Sequence, residues 1–349
     1  MKNSRNLRDY TPEELEALFA ERGLPAYRGR QIFKWLARPF VYSFSQMTDL
    51  PKDLREKLAQ EFSLALPEVT KEEISADGTR KLALLLEDEE IIECVIIPEE
   101  DHYTLCVSSQ VGCAMGCAFC LTARMGFRRN LKPHEITGQV LRAKEILEKE
   151  GLSEEKPLRN LVFMGMGEPL ANYDNVLKAL KILLHPGGFN FSGRRVTVST
   201  VGLIPQMERL GRDIRVKLAI SLHAADNETR SRLMPINKRY PLPELIAACR
   251  RYPLPKGWRI TFEYVLLAGV NDRVDDAKRL AALLRGIPAK INLIPFNEHP
   301  LLPFRCPSEE QILRFQEILL AAGYVTTIRK SRGRDISAAC GQLASRLAA

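Results

Sequence analysis

The sequence predicts an α/β protein in which a parallel sheet, open or rolled into a barrel, follows a small helical N-terminal module. Three observations predict it. From about residue 100 onward, short apolar runs alternate with amphipathic stretches in a strand-then-helix rhythm. The first seventy residues carry helix-start signals and helical apolar spacing instead. Finally, the conspicuous polar residues fall just after the apolar runs, where parallel α/β folds place their chemistry.

Taken in order, the elements have local reasons. Thr11, Pro12 and Glu14 form a helix start, with Thr at the N-cap, Pro at the first helical position and Glu14 completing a capping box. Leu15, Leu18 and Phe19 supply the apolar stripe. Further helices are predicted over 29–36 and 51–62, making a small bundle. From residue 71 the pattern changes, and residues 79–98 read as two strands joined by an acidic turn. Strands are then predicted at 103–107, 160–164, 195–199, 216–222, 259–266, 290–295 and 325–328. Helices are predicted at 133–149, 173–184, 243–251, 272–285 and 308–322. The pattern carries no solenoid repeat and no low-complexity segment.

Composition narrows the class. With 45% hydrophobic and 27% charged residues, the chain of 349 residues has the makings of a full core. Its apolar runs are strand-sized, so no membrane association is expected. The N-terminus has no apolar core segment, so a secretory signal is not expected and the cytoplasm is the expected location. Eight cysteines without such a signal argue for metal or thiol chemistry over a disulfide framework. The net charge of +8 suits an anionic partner such as nucleic acid. Arg124, Arg128, Arg129 and Lys132 form one basic group; Arg329, Lys330, Arg332 and Arg334 form another. Charge alone allows both to be solvated faces.

Five polar signals follow five predicted strands. The first is a loop with three cysteines, and the second is Gly165-Met166-Gly167-Glu168-Pro169. Ser199 with Thr200, then Ser221-Leu222-His223, then Asn297 complete the set. Singly, each reads as a turn or a structural residue. On one common edge they describe one site.

The cysteine loop is the sharpest motif. Cys113, Cys117 and Cys120 are spaced Cys-x3-Cys-x2-Cys, and no second two-cysteine knuckle exists to complete a zinc site. Three thiolates suit a 4Fe-4S cluster with one iron left open. This spacing, with Phe119 before the third cysteine, resembles the radical S-adenosylmethionine (SAM) superfamily. The resemblance implies a partial (β/α)6 barrel and one 4Fe-4S cluster per chain, whose open iron is chelated by SAM. It also implies that Gly167 and Glu168 meet the amino group of SAM, and that Ser199, Ser221, Leu222, His223 and Asn297 contact the cofactor.

Beyond the cluster motif, Cys94, Cys249 and Cys306 read as small buried apolar residues. Cys340 differs: it follows a basic, glycine-containing segment, and arginines nearby favour a thiolate. The segments LCVSSQVGC, GFRRNL, FMGMGEP, TVSTVG, AISLHA, LMPIN, NLIPFN and DISAACGQL together resemble the RlmN-type RNA adenine methyltransferases, relatives of the Cfr-type enzymes. The likeness runs from about residue 10 to 345. One departure is Ala123, where the family commonly has glycine.

That resemblance implies the mechanism. Carbon 2 of adenine is not nucleophilic, so one SAM methylates Cys340 and a second is cleaved reductively to a 5′-deoxyadenosyl radical. The radical takes hydrogen from the methyl on Cys340, and the resulting carbon radical adds to adenine. Glu93 accepts a proton, and Cys106 releases the product by forming a transient disulfide with Cys340. From its position alone, Glu93 reads as a surface strand residue. The implied targets are adenine 2503 of 23S rRNA and adenine 37 of tRNA, with two SAM molecules used per turnover. The expected electron donor is a flavodoxin or ferredoxin, and a monomer is expected. The implied domains are a helix-hairpin-helix-like RNA-binding module at 1–70, a β-hairpin linker at 71–98, a radical SAM core at 99–335 and a C-terminal segment at 336–349. Alternatives are methylation of carbon 8 of the same adenine, as in Cfr-like enzymes, a radical SAM enzyme acting on another substrate, and a non-catalytic iron–sulfur RNA-binding protein.

Overall fold

The Thr11 signal is realised as written. The Thr11 N–H donates to the Glu14 carboxylate at 2.8 Å, and the Glu14 N–H donates to the Thr11 hydroxyl at 3.3 Å. Such a cap contributes about 1 kcal/mol. It starts the helix Pro12–Glu21, which is followed by Tyr27–Leu36 and Lys52–Glu61. Leu15, Phe19, Ile32 and Phe33 are buried in the core of this module. Arg8, itself buried, donates to the carbonyls of Leu64 at 3.3 Å, Val41 at 2.6 Å and Leu36, and burial pulls it down to about 10. Asp9 accepts the His134 N–H at 2.9 Å, so the module is tied to the barrel helix Pro133–Lys149. The structure is a computed structural model that describes residues 5–343. Residues 1–4 and 344–349, the outer ends of the module and of the C-terminal segment, lie outside the described residues.

The core of the protein is one ten-stranded sheet. Seven strands run parallel in chain order: Tyr103–Cys106, Leu158–Phe163, Val196–Thr200, Lys217–Ser221, Ile260–Leu266, Ala289–Pro295 and Val325–Ile328. Six of them are followed by helices and the seventh is the edge, giving the expected (β/α)6 half-barrel plus one strand. Side chains alternate along each strand. Leu161, Val198, Leu218, Phe262 and Ile291 are buried, each contributing about 2 kcal/mol of apolar transfer. The alternate positions Ser199, Glu263 and Asn292 line cavities inside the barrel.

Two expectations change. The antiparallel part has three strands, Glu68–Ile74, Arg80–Leu85 and Ile91–Pro98, where two were predicted. The missed strand is the outer edge, with charged residues on both faces and hence no period-2 apolar signal; charged edges also resist pairing with other chains. These strands extend the barrel sheet directly, since Ile91–Pro98 pairs antiparallel with Tyr103–Cys106 and sets Val95 opposite Cys106. Helices Ile204–Asp213 and Asn227–Leu233 were not predicted; the second is short with Leu233 its one apolar residue, whereas the first does carry a stripe of Ile204, Met207 and Leu210. Elsewhere the predicted ends differ by one or two residues, as at Ala289–Pro295 and Glu309–Ala321.

Candidate active site

The three-cysteine loop is held at its base, middle and end. Gln110–Gly112 pairs antiparallel with Phe127–Asn130. Gly112 has φ +71°, and a Cβ there would lie 1.7 Å from the Gly126 carbonyl oxygen, so only glycine fits. Arg129 grips Asp88 at 2.6 and 2.8 Å and Glu135 at 2.8 Å, which makes it an anchor where the sequence allowed a solvated face. Further along, the Ala118 N–H donates to Leu233 O at 2.9 Å and the Leu121 N–H to Gly341 O at 2.8 Å. Ala123 belongs to the helical turn Leu121–Arg124 and lines the cavity. Its φ is not positive, so nothing in this turn requires the family's usual glycine.

Cys113, Cys117 and Cys120 line one cavity of about 180 Å³ at the C-terminal ends of the parallel strands. Burial pushes the Cys113 thiol up to about 12 and raises Cys117 and Cys120 as well. Among the described residues, no three His, Cys, Asp or Glu side chains converge as a single-ion site. Thiols spread around a cavity suit a cluster, in which each binds a separate iron.

Opposite the loop, the same cavity is lined by Gly167, Glu168, Ser199, Ser221, His223 and Asn297. Gly167 has φ +99°, and a Cβ there would lie 2.5 Å from the Gln110 Cβ. Gln110 Oε1 in turn accepts the Glu168 N–H at 2.8 Å. The Glu168 carboxylate accepts N–H groups from Leu170 at 3.0 Å and Val201 at 2.9 Å, yet burial still pushes it up to about 7. An arriving ammonium group would relieve that burial cost. His223 also has positive φ, at +57°. Its Nδ1 accepts the Val265 N–H at 3.0 Å, and burial pulls it down to about 3, leaving a neutral ring with its proton assigned to Nε2. Asn297 Oδ1 is buried in this cavity without a hydrogen-bond partner, so it can accept a hydrogen bond from a polar ligand.

Cys106 and Cys340 line the cavity too. Cys106 is buried on its strand and pushed up to about 12; Cys340 is exposed. Arg329 lies beside both, its guanidinium raised first by Cys340 and then by Glu263 and Cys106, against burial. The segment carrying Cys340 is clasped from two sides. Thr122 Oγ1 donates to Leu343 O at 2.7 Å and Lys81 Nζ to Ile336 O at 2.5 Å, while Asp335 accepts from Ser75 Oγ at 2.6 Å.

Two predicted residues stand apart from the lining. Leu222 is fully buried and takes part through its backbone, its N–H donating to Glu263 O at 3.0 Å. Glu93 is buried, not on the surface as its position suggested; it lies 3.7 Å from Lys81 and its carbonyl accepts from Ser108 Oγ at 2.5 Å. The joining of the antiparallel strands to the barrel covers both faces of its strand. Cys94 and Cys249 are buried as expected, whereas Cys306 is only half-buried. Gln110, Arg230, Glu263 and Arg329 were not singled out as site residues; each reads locally as an ordinary polar residue.

The barrel and its three-thiol, carboxylate-lined cavity define a radical SAM protein, and the radical SAM superfamily profile matches residues 107–281. Residues 5–64 match the profile described as the ribosomal RNA large subunit methyltransferase N-terminal domain. The chain is 54% identical to a dual-specificity RNA methyltransferase RlmN from Geobacter sulfurreducens, over 96% of this chain and 91% of that one. It is 49% identical to a protein of the same description from Syntrophus aciditrophicus, over 99% and 97%. A crystal structure of a radical SAM methyltransferase from Sphaerobacter thermophilus superposes with TM-score 0.91 at 48% identity, covering 97% of this chain and 99% of that one. The chain belongs to the RlmN family of radical SAM methyltransferases. Its cofactors are a 4Fe-4S cluster and SAM, and among the described residues no helix is long and apolar enough to cross a membrane.

Proposed function

We propose that this chain methylates carbon 2 of adenine 2503 in 23S rRNA and of adenine 37 in tRNAs. One observation carries the reading: Cys106 and Cys340, which hold no place in the cluster motif, line the same cavity as the three motif cysteines. A radical SAM enzyme acting on another substrate would have no evident use for them. A non-catalytic iron–sulfur RNA-binding protein would leave the polar strand ends without a purpose.

In this reading Cys113, Cys117 and Cys120 hold the cluster. When bound, the cluster supplies the electron that starts radical chemistry on SAM. Glu168 and Asn297 meet the polar ends of SAM, and Ser199, Ser221 and His223 shape the rest of its site. Cys340 attacks the methyl of one SAM, forming the Cys340 sulfur–carbon bond as the sulfonium–carbon bond breaks. Once this methyl carbon has lost one hydrogen atom and bonded to adenine, the adduct gives up one electron to the enzyme's redox partner and Glu93 accepts the proton lost from carbon 2. The Cys106 thiolate then attacks the Cys340 sulfur, so a disulfide forms as the bond from Cys340 to carbon breaks, and the freed carbon keeps that electron pair and takes up a proton to become the product's methyl. An external thiol reduces that disulfide before the next turnover.

The domain roles follow the same reading. Residues 1–70 grip folded RNA, 71–98 join that module to the 99–335 core, and 336–349 carry the methyl acceptor. The Arg28 guanidinium lies over the Tyr27 ring at 4.9 Å and that of Arg38 over the Trp35 ring at 4.5 Å. Such basic and aromatic groups on one module suit phosphates and unpaired bases. The electron comes from a flavodoxin or ferredoxin, and the enzyme works as a cytoplasmic monomer.

The test is anaerobic reaction of reconstituted enzyme, reductant and methyl-deuterated SAM with unmodified 23S rRNA. Digestion and mass spectrometry should give 2-methyladenosine carrying two of the three deuterons. An 8-methyladenosine product would move the chain to Cfr-like chemistry, and SAM cleavage with no methylated adenine would overturn the substrate.

A further inference from the structure

Arg230 is 0% exposed, the bulkiest fully buried side chain among the described residues. Its guanidinium is spent on neutral acceptors. Nε donates to Leu222 O at 3.2 Å, Nη2 to Val201 O at 2.8 Å and Ser221 O at 3.3 Å, and Nη1 to Asn237 Oδ1 at 2.9 Å. Among the described residues, none of the ion pairs involves Arg230. A cation buried without an anion is costly, because carbonyl dipoles satisfy its N–H groups and leave the charge uncompensated. Burial accordingly pulls Arg230 down to about 10, and the groups opposing that pull are the sulfurs of Cys117 and Cys249.

Its location identifies the missing anion. The short helix Asn227–Leu233 carries Arg230, and the Leu233 carbonyl of that helix accepts the Ala118 N–H at 2.9 Å, one residue past Cys117. Three thiolates give an iron–sulfur cluster a net negative charge, which grows by one on reduction. We infer that Arg230 is a positioning residue with two tasks: its charge is the buried counter-charge of the iron–sulfur site, and its fork fixes the turns that hold SAM. The second task follows from its bonds. Ser221 and Leu222 are assigned to SAM, and Val201, held by its carbonyl, donates its N–H to the Glu168 carboxylate at 2.9 Å. One guanidinium thus ties two strand ends together and, through Val201, steadies the Glu168 turn; a lysine would keep the charge but lose the fork.

The inference rests on the cluster reading of Cys113, Cys117 and Cys120. The test compares wild type, R230K and R230Q, all reconstituted anaerobically. It measures iron and sulfide content, the cluster's reduction midpoint by EPR-monitored titration, and SAM affinity without reductant. The expected result is a lower midpoint for R230Q and a near-wild-type midpoint for R230K, since nearby positive charge favours the reduced cluster. Both variants should bind SAM about tenfold more weakly. Identical midpoints in iron-loaded wild type and R230Q would overturn the counter-charge. Wild-type SAM affinity in R230K would overturn the fork. Should R230Q fail to fold, R230K alone decides: a midpoint displaced from wild type overturns the charge role. Wild-type protein that holds neither iron nor sulfide would overturn the cluster reading itself, a different result from any of these.

Discussion

The Leu121 N–H, one residue past Cys120, donates to the Gly341 carbonyl, one residue past Cys340, at 2.8 Å. The loop expected to carry the cluster and the segment expected to carry the methyl acceptor are therefore in direct backbone contact. Thr122 Oγ1 adds a second bond, to Leu343 O at 2.7 Å. This short seam holds Cys340 against the cluster loop, while Lys81 and Ser75 hold the same segment from its other side.

Thr122→Val should loosen the seam. A buried hydrogen bond of this kind is worth about 1 kcal/mol net, and its loss leaves the Leu343 carbonyl unpaired. The expected outcome is about fivefold slower methylation of Cys340 with unchanged iron content, read by peptide mass spectrometry after incubation with SAM. Wild-type methylation rates would show that the seam does not position Cys340.

The two thiols outside the motif should fail in different ways. Cys106→Ala is expected to accumulate a protein–RNA adduct, because nothing then attacks the Cys340 sulfur, whereas Cys340→Ala should form none. Denaturing gels with labelled RNA separate the two. Normal turnover by Cys106→Ala would remove its assigned role.

Glu168 makes the cluster-free protein sensitive to pH. Its folded value, pushed up to about 7 from 4.5, means that the folded state binds this proton more tightly than the unfolded state. Stability from this group is complete below about pH 4.5 and is lost as pH rises through 7, a change on the order of 3 kcal/mol. Thermal unfolding at pH 5 and pH 8 should show this fall in wild type and a shallower one in Glu168→Gln. Saturating SAM should shrink it, because the ligand ammonium favours the charged carboxylate. Equal slopes in wild type and variant would contradict the role of burial at Glu168.

Gly167→Ala combines two costs. The added Cβ meets Gln110 at 2.5 Å and the backbone keeps φ +99°. Relief requires the Glu168 turn to move, so SAM affinity should fall at least tenfold, measured by equilibrium binding. Unchanged affinity would mean that the turn is free to shift.

What the sequence reveals of this protein follows from how locally each feature is encoded. The strand Val325–Ile328 and the helices Pro133–Lys149 and Tyr173–Leu184 have the predicted bounds, because apolar period and terminal residues agree there. The cavity edge was legible because Glu168, Ser199, His223 and Asn297 each follow an apolar run. Arg230 was not, since NETRSRL is polar up to its last residue and carries no apolar signal that would mark an interior position. Only the two strand ends and the Asn237 turn that close over it make it interior. Glu93 was misread for a related reason: its burial comes from neighbouring strands and Lys81, which lie beyond any local window.

The segment after Val325–Ile328 returns to the far end of the sheet, where Asp335 meets Ser75 and the Ala76 N–H, and the Gly333 N–H meets Asp77. It acts as a strap across the two ends of the sheet, and Cys340 is its buckle. A bond from Cys340 to Cys106 would fasten that strap to the first barrel strand and enclose most of the barrel in one covalent ring. Rings of that size restrict the unfolded chain by about 5–6 kcal/mol. The oxidised form left after product release should therefore outlast the reduced working form in denaturant, a difference that guanidinium unfolding with and without reductant reads directly. Under the proposed function, the reductant that readies the enzyme for another turnover would also be the agent that unbuckles its fold.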